Sequence, residues 1–233
     1  MKKYALIMAG GEGRRAGTES PKQFVKLLGI PMLWWSVMAF HAADRHTRIR
    51  LVMHPGFFAD YDVMLSELPA DIRNIDVDLC AGGRDRGESV KNGLMAVAAD
   101  ADTLVAVHDA ARPLVTPEII SAAWQTAAQS GSAVPVWPVS DSLREVEPGK
   151  PSHAVDRSRF VAVQTPQVFR SDILHEAYEL AHRPEFTDDA SRVEALGHDI
   201  CLFDGAPFNL KVTNPMDFEI ATALLRKIKQ IEK

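Results

Sequence analysis

The sequence has no run of 18 or more apolar residues, so no segment can cross a bilayer as a helix. Its start, Met1-Lys2-Lys3-Tyr4, opens into an apolar stretch of only Ala5 to Ala9, too short for the core of a signal peptide. Cysteine is scarce. Cys80 and Cys201 each sit in an apolar strand-like stretch without metal-ligand spacing, which reads as reduced core thiols and a cytoplasmic chain. The histidines are scattered without metal spacing, and repeats, low-complexity tracts and the pattern G-x-x-x-x-G-K-[ST] are absent. A basic surplus is also missing: 26 Lys and Arg against 31 Asp and Glu give a net charge of −5, which argues against nucleic-acid binding.

The 233 residues, 46% of them hydrophobic, can bury a sizeable core as one α/β domain. Charge is unevenly placed. Residues 1–50 carry nine Lys and Arg against three Asp and Glu, a balance of +6 that leaves −11 for the rest. A local excess of this kind suits a small phosphorylated ligand. Within it, the apolar run Leu6-Ile7-Met8-Ala9 empties into Gly10-Gly11-Glu12-Gly13-Arg14-Arg15, followed by Pro21-Lys22-Gln23. Glycines let backbone N–H groups converge on an anion, arginine adds a planar fork and lysine a mobile point charge. Gly11 to Ala16 also fits the dinucleotide pattern G-x-G-x-x-G/A, but Pro21 interrupts the helix that pattern requires. The second strand then ends in His54-Pro55-Gly56 instead of a ribose-binding acid. A loop gripping a nucleoside triphosphate is favoured over a dinucleotide site or a solvated turn.

Apolar runs alternate with amphipathic stretches along the chain. Strands are expected at Tyr4–Met8, Arg48–Met53, Val77–Ala81, Thr103–His108, Ala133–Pro138 and Ile200–Phe203. Helices are expected at Met32–His41, Ala59–Leu68, Glu88–Ala98, Pro117–Gln129, Arg170–His182 and Pro215–Ile231, with Thr116 and Asn214 as caps. This alternation predicts a Rossmann-like three-layer α/β/α fold with a mostly parallel twisted sheet, whose ligands bind beyond the carboxyl ends of the strands. Residues 139–163 break the rhythm around Glu147-Pro148-Gly149-Lys150-Pro151 and read as a projecting β-arm. A lone two-stranded arm is marginal in water, so a second copy of the chain is expected to cover it, giving a homodimer.

Several motifs recur in a recognisable order: Ala9-Gly10-Gly11-Glu12-Gly13-Arg14-Arg15, Pro21-Lys22-Gln23-Phe24, Gly82-Gly83-Arg84 with Ser89-Val90-Lys91-Asn92-Gly93-Leu94, and His108-Asp109-Ala110-Ala111-Arg112-Pro113. They continue through Asp156-Arg157, Gln164-Thr165-Pro166-Gln167, Thr187-Asp188-Asp189-Ala190-Ser191 and Asn209-Leu210-Lys211-Val212-Thr213. With these the chain resembles the 2-C-methyl-D-erythritol 4-phosphate cytidylyltransferases, from strand one to the last helix. The resemblance implies a single nucleotidyltransferase domain over 1–233, with 139–163 as the dimerisation arm, and transfer of CMP from CTP to the acceptor phosphate with Mg²⁺. It implies Arg15, Lys22 and Lys211 as catalytic cations. Nucleotide contacts would come from Ala9, Gly10, Gly11, Gly13, Gly83, Ser89, Asp109 and Ala110, with Asp109 close to the metal. Acceptor contacts would come from Arg112, Ser142, Arg157, Thr165 and Thr187, with Ser142 and Arg157 serving the neighbouring subunit. A ribitol-5-phosphate cytidylyltransferase, a silent nucleotide-binding module and an NAD-type oxidoreductase are the competing readings.

Overall fold

The computed structural model describes residues 1–11 and 21–231, so Gly13 and Arg15 of the glycine loop lie outside the described residues. In strand β1 (Lys2–Met8) successive side chains bury on opposite sides of one sheet. Ala5 and Ile7 join one hydrophobic cluster, and Tyr4 and Leu6 join another. A single-turn helix at Lys22–Phe24 and a small hairpin, β2 (Lys26–Leu27) and β3 (Ile30–Pro31), lead into α1 (Met32–Ala43). Then follow β4 (Arg48–Met53), α2 (Phe58–Ser66), α3 (Ala70–Arg73), β5 (Val77–Ala81), α4 (Arg86–Leu94), β6 (Thr103–Asp109), α5 (Pro117–Ser130) and β7 (Ser132–Pro138). The remainder is β8 (Leu143–Glu145), β9 (His153–Val155), β10 (Val161–Val163), β11 (Gln167–Arg170), α6 (Ser171–Glu179), α7 (Asp189–Glu194), β12 (Leu202–Asp204) and α8 (Pro215–Ile231).

The main sheet runs β10-β7-β11-β6-β1-β4-β5, with β12 also paired to β7. β5, β4, β1 and β6 are mutually parallel, and β11 runs antiparallel between β6 and β7. Side chains of α1, α5 and α8 pack in one cluster and those of α4, α6 and α7 in the other, so helices cover both faces. Buried on both sides, the central strands are mostly apolar; every residue of β6 is buried, with His108 and Asp109 at its carboxyl end. Strand order reverses at β1, between β4 and β6, which places the ligand crevice beyond Met8 and Asp109.

The structure departs from the sequence reading in several places. α4 starts at Arg86 because the Asp85 carboxylate accepts the Glu88 N–H at 2.8 Å, and it stops at Leu94, four residues short of expectation. β11 (Gln167–Arg170), which starts at the last residue of the Gln164-Thr165-Pro166-Gln167 motif, was not among the expected strands. β8 and β9 do pair antiparallel across the Pro148-Gly149 turn, but residues 161–163 join β7 in the main sheet rather than the hairpin. Neither cysteine is a core thiol: Cys80 lies on edge strand β5 and Cys201 just before β12, both unpaired and half-buried.

Candidate active site

A cleft of about 1070 Å³ opens at the carboxyl edge of β1, β4, β5 and β6, walled by Gly10, Gly11, Gly82, Gly83, Ser89 and Ala111. Its charged lining includes Lys22, Arg84, Arg86, Glu88, Asp109 and Lys211. Gly83 is required where it stands, since a Cβ there would come within 2.4 Å of Glu88 Cγ. Ser89 Oγ accepts the Gly83 N–H at 2.9 Å and donates to the Asp85 carbonyl at 2.7 Å, fixing the wall.

Two segments far apart in sequence meet at the mouth. Gln23, 3% exposed, donates to the Ala9 carbonyl at 2.9 Å and pins the Lys22 turn to the end of β1. Lys22 Nζ donates to the Val212 carbonyl at 2.9 Å, beside Lys211. The 206–213 loop is held from below. Buried Gln164 bonds both backbone groups of Ala206, at 2.8 and 3.2 Å, and Asn209 donates to Gln164 and to the Thr165 carbonyl. Val212 N–H closes on the Ala111 carbonyl at 2.8 Å. The loop ends in a reciprocal cap on α8: Asn214 accepts the Asp217 N–H, and the Asp217 carboxylate accepts the N–H groups of Thr213 and Asn214.

Asp109 is the electrostatic focus. Its Oδ2 meets Lys211 Nζ at 2.7 Å and Arg112 Nε at 3.9 Å, while Oδ1 faces Arg86 Nε at 3.9 Å. Burial would raise its carboxyl, but Lys211, Arg86 and Arg112 together hold it below the ordinary carboxylate range. Directly beneath, Thr165 Oγ1 accepts the Asp109 N–H at 3.1 Å and lies 3.0 Å from His108 Nδ1, whose ring partners Ser36 on its other side. Burial lowers the His108 pKa to about 4, so this ring is a neutral strut.

Of the residues singled out in sequence, the cleft brings together Gly10, Gly11, Lys22, Gly83, Ser89, Asp109 and Lys211. Ala9 is buried with its N–H on Val52 and its carbonyl on Gln23. Ala110 is likewise buried, its N–H on Met8, and Ala111 forms the wall beside it. Arg112 ties two backbones, donating to the carbonyls of Asn209 at 2.7 Å and Val163 at 3.3 Å. Thr165 lies under the floor and Thr187 is exposed just before α7. Ser142 and Arg157 are exposed on the arm, away from this cleft's lining, with the Arg157 guanidinium on the Ser140 carbonyl.

The sequence reading missed Arg86. A signal was available: a cation at the first position of a helix opposes the helix dipole, so it needs a partner. That partner is Asp189, fully buried, which takes the guanidinium on both oxygens at 3.1 and 2.6 Å.

The chain matches the profile of 2-C-methyl-D-erythritol 4-phosphate cytidylyltransferases over residues 4–227. It belongs to this family. A relative from Bacteroides fragilis bearing that name is 40% identical over 226 residues, covering 97% of this chain and 100% of that protein. One from Phocaeicola vulgatus is 38% identical with the same coverage. The crystal structure of the cytidylyltransferase from Thermus thermophilus superposes with a TM-score of 0.75 at 33% identity, covering 97% of this chain and 100% of that one. Shared family membership accounts for the order of the motifs and for the Rossmann-like frame that carries them. Among the described residues, no helix is long and apolar enough to cross a membrane.

Proposed function

We infer that the cleft beyond β1 and β6 is where this cytidylyltransferase works. The enzyme transfers CMP from CTP to 2-C-methyl-D-erythritol 4-phosphate, giving 4-diphosphocytidyl-2-C-methyl-D-erythritol and pyrophosphate. One observation carries the location: Lys22 and Lys211 converge, through Val212, on a glycine-walled cleft that ends at Asp109. An oxygen of the acceptor phosphate attacks the α-phosphorus as the bond to the β-phosphate oxygen breaks and pyrophosphate leaves. That nucleophile is already anionic at neutral pH and needs no general base. The barrier is repulsion between two polyanions, so positioned cations supply the catalysis. Lys22 and Lys211 neutralise the triphosphate and the charge developing at transfer, and Arg15 is proposed as the third cation. Gly10, Gly11, Gly83 and Ser89 present backbone groups and a hydroxyl to the nucleoside.

The donor set fits Mg²⁺. The ion favours one or two carboxylates, phosphate oxygens and waters, and Asp109 Oδ1 meets Arg86 at 3.9 Å, beyond hydrogen-bond reach. No cluster of three or more acidic, His or Cys ligands occurs among the described residues, so nucleotide phosphates would complete the coordination. When bound there, the ion supplies charge neutralisation at the triphosphate. Ser142 and Arg157 lie on the arm and serve the cleft of a second subunit. A homodimer is supported by the exposed apolar side chains of Trp137, Phe160, Val161, Val163 and Leu202 on or beside β7, β10 and β12. The net charge of −5 disfavours nucleic-acid partners, and the two unpaired thiols suit the cytoplasm.

The test is pyrophosphate release from CTP and Mg²⁺ with each polyol phosphate as acceptor. Release with methylerythritol phosphate is expected. Release with ribitol 5-phosphate alone would overturn the acceptor, and none with either would overturn the activity.

A further inference from the structure

Asp189 takes no part in the reaction as derived above, yet it is fully buried, and a buried carboxylate is expensive unless paired. Three devices fix its place. Asp188 and Ser191 form a reciprocal capping box at the start of α7. Gln167, 1% exposed on β11, donates to the Asp188 carboxylate at 2.7 Å and accepts the Ala190 N–H at 3.0 Å. The Tyr178 hydroxyl donates to Asp189 Oδ1, and Arg192 stacks on the Tyr178 ring at 4.7 Å. All this rigidity is delivered to one side chain: the two terminal nitrogens of Arg86 are taken by Asp189, which leaves its Nε turned toward Asp109 Oδ1 at 3.9 Å. Lys211 occupies the other oxygen, Oδ2, at 2.7 Å. If Lys211 moves to the nucleotide phosphates, Asp109 loses that contact and keeps Arg86 at Oδ1 and Arg112 at Oδ2, each at 3.9 Å.

We propose that Arg86, clamped by Asp189, is a positioning residue for the transfer: its fixed charge, 3.9 Å from Oδ1, keeps the Asp109 carboxylate ionised and aimed into the cleft while Lys211 engages the triphosphate. This rests on the roles given above to Asp109 and Lys211. It also gives the Thr187-to-Ser191 motif a second purpose, as the strut connecting the acceptor-side segment to the nucleotide wall at α4.

The variants Arg86→Gln, Asp189→Asn and the double variant, with wild type alongside, separate positioning from mere stability. Each is assayed for pyrophosphate release at saturating CTP, acceptor and Mg²⁺, for KM, and for thermal unfolding. Each single variant is expected to lose on the order of 10–100-fold in kcat, as outer-shell partners of a reactive group do. The double variant leaves no charge unpaired, so its unfolding temperature is expected to recover above that of Asp189→Asn while its kcat stays at the Arg86→Gln level. Recovery of kcat to within about threefold of wild type in step with stability would overturn the proposal, as would a loss confined to KM. Absence of turnover in wild type would overturn the proposed reaction along with it.

Discussion

Lys22 Nζ bonds the Val212 carbonyl and Lys211 Nζ the Asp109 carboxylate, and both side chains line the cleft. In the proposed reaction, truncating either removes charge at the transferring phosphoryl group. Lys22→Ala and Lys211→Ala are each expected to lower kcat by about 10²–10³, as removal of one transition-state donor does. Loss of the Lys22 bond to the Val212 carbonyl is expected to destabilise Lys22→Ala by about 1.5–3 kcal/mol, the range for a charged donor. Steady-state kinetics and thermal unfolding of the purified variants check both. His108 makes a different kind of prediction. Its pKa of about 4 in the folded chain lies below the usual 6.5, so between those values the unfolded chain binds a proton that the folded chain refuses. Stability from this ring is therefore complete above pH 6.5 and is lost as pH falls toward 4, by up to roughly 3 kcal/mol. Denaturant titrations across this range should show a shallower fall for His108→Gln; an unchanged slope would remove the ring as the cause.

At the scale of elements, the site hangs on caps and buried amides as much as on its charged groups. Asp217 holds the Thr213 and Asn214 N–H groups and so the trailing end of the Lys211 loop. Asp217→Ala is expected to destabilise by about 1–2 kcal/mol, the usual cost of a lost cap, and to raise KM for CTP. Chemical denaturation and KM of the same preparation check the pair of effects, and normal values for both would contradict this role of the cap. These elements also show what the sequence discloses. Long apolar strands and capped helices were legible because period and cap are local: Arg48–Met53, Val77–Ala81 and Pro215–Ile231 were placed to the residue. Strand β11 was not legible, since the polar Gln167 in it is satisfied only by Asp188 and Ala190 from another element. Asp189 was hidden likewise; its burial is compensated by the Tyr178 hydroxyl and by Arg86, which lies 103 residues away in the chain.

For the whole molecule, the proposed pairing of two copies rests on apolar surface exposed near the arm. The cleft collects cations in a chain of net charge −5, while Phe160, 47% exposed, and Trp137, 37% exposed, face outward near the arm that bears Ser142 and Arg157. Phe160→Glu is expected to shift the chain to monomer in light scattering and to lower turnover by at least about tenfold, because two acceptor contacts would no longer reach a neighbour's cleft. A monomeric Phe160→Glu chain with full turnover would contradict this. The gathering of cations around CTP is tested most directly by a crystal structure with the nucleotide bound. Lys22 Nζ should have left the Val212 carbonyl, and Lys211 Nζ should have left Asp109, both for phosphate oxygens. A bound CTP whose phosphates lie away from both lysines would contradict it.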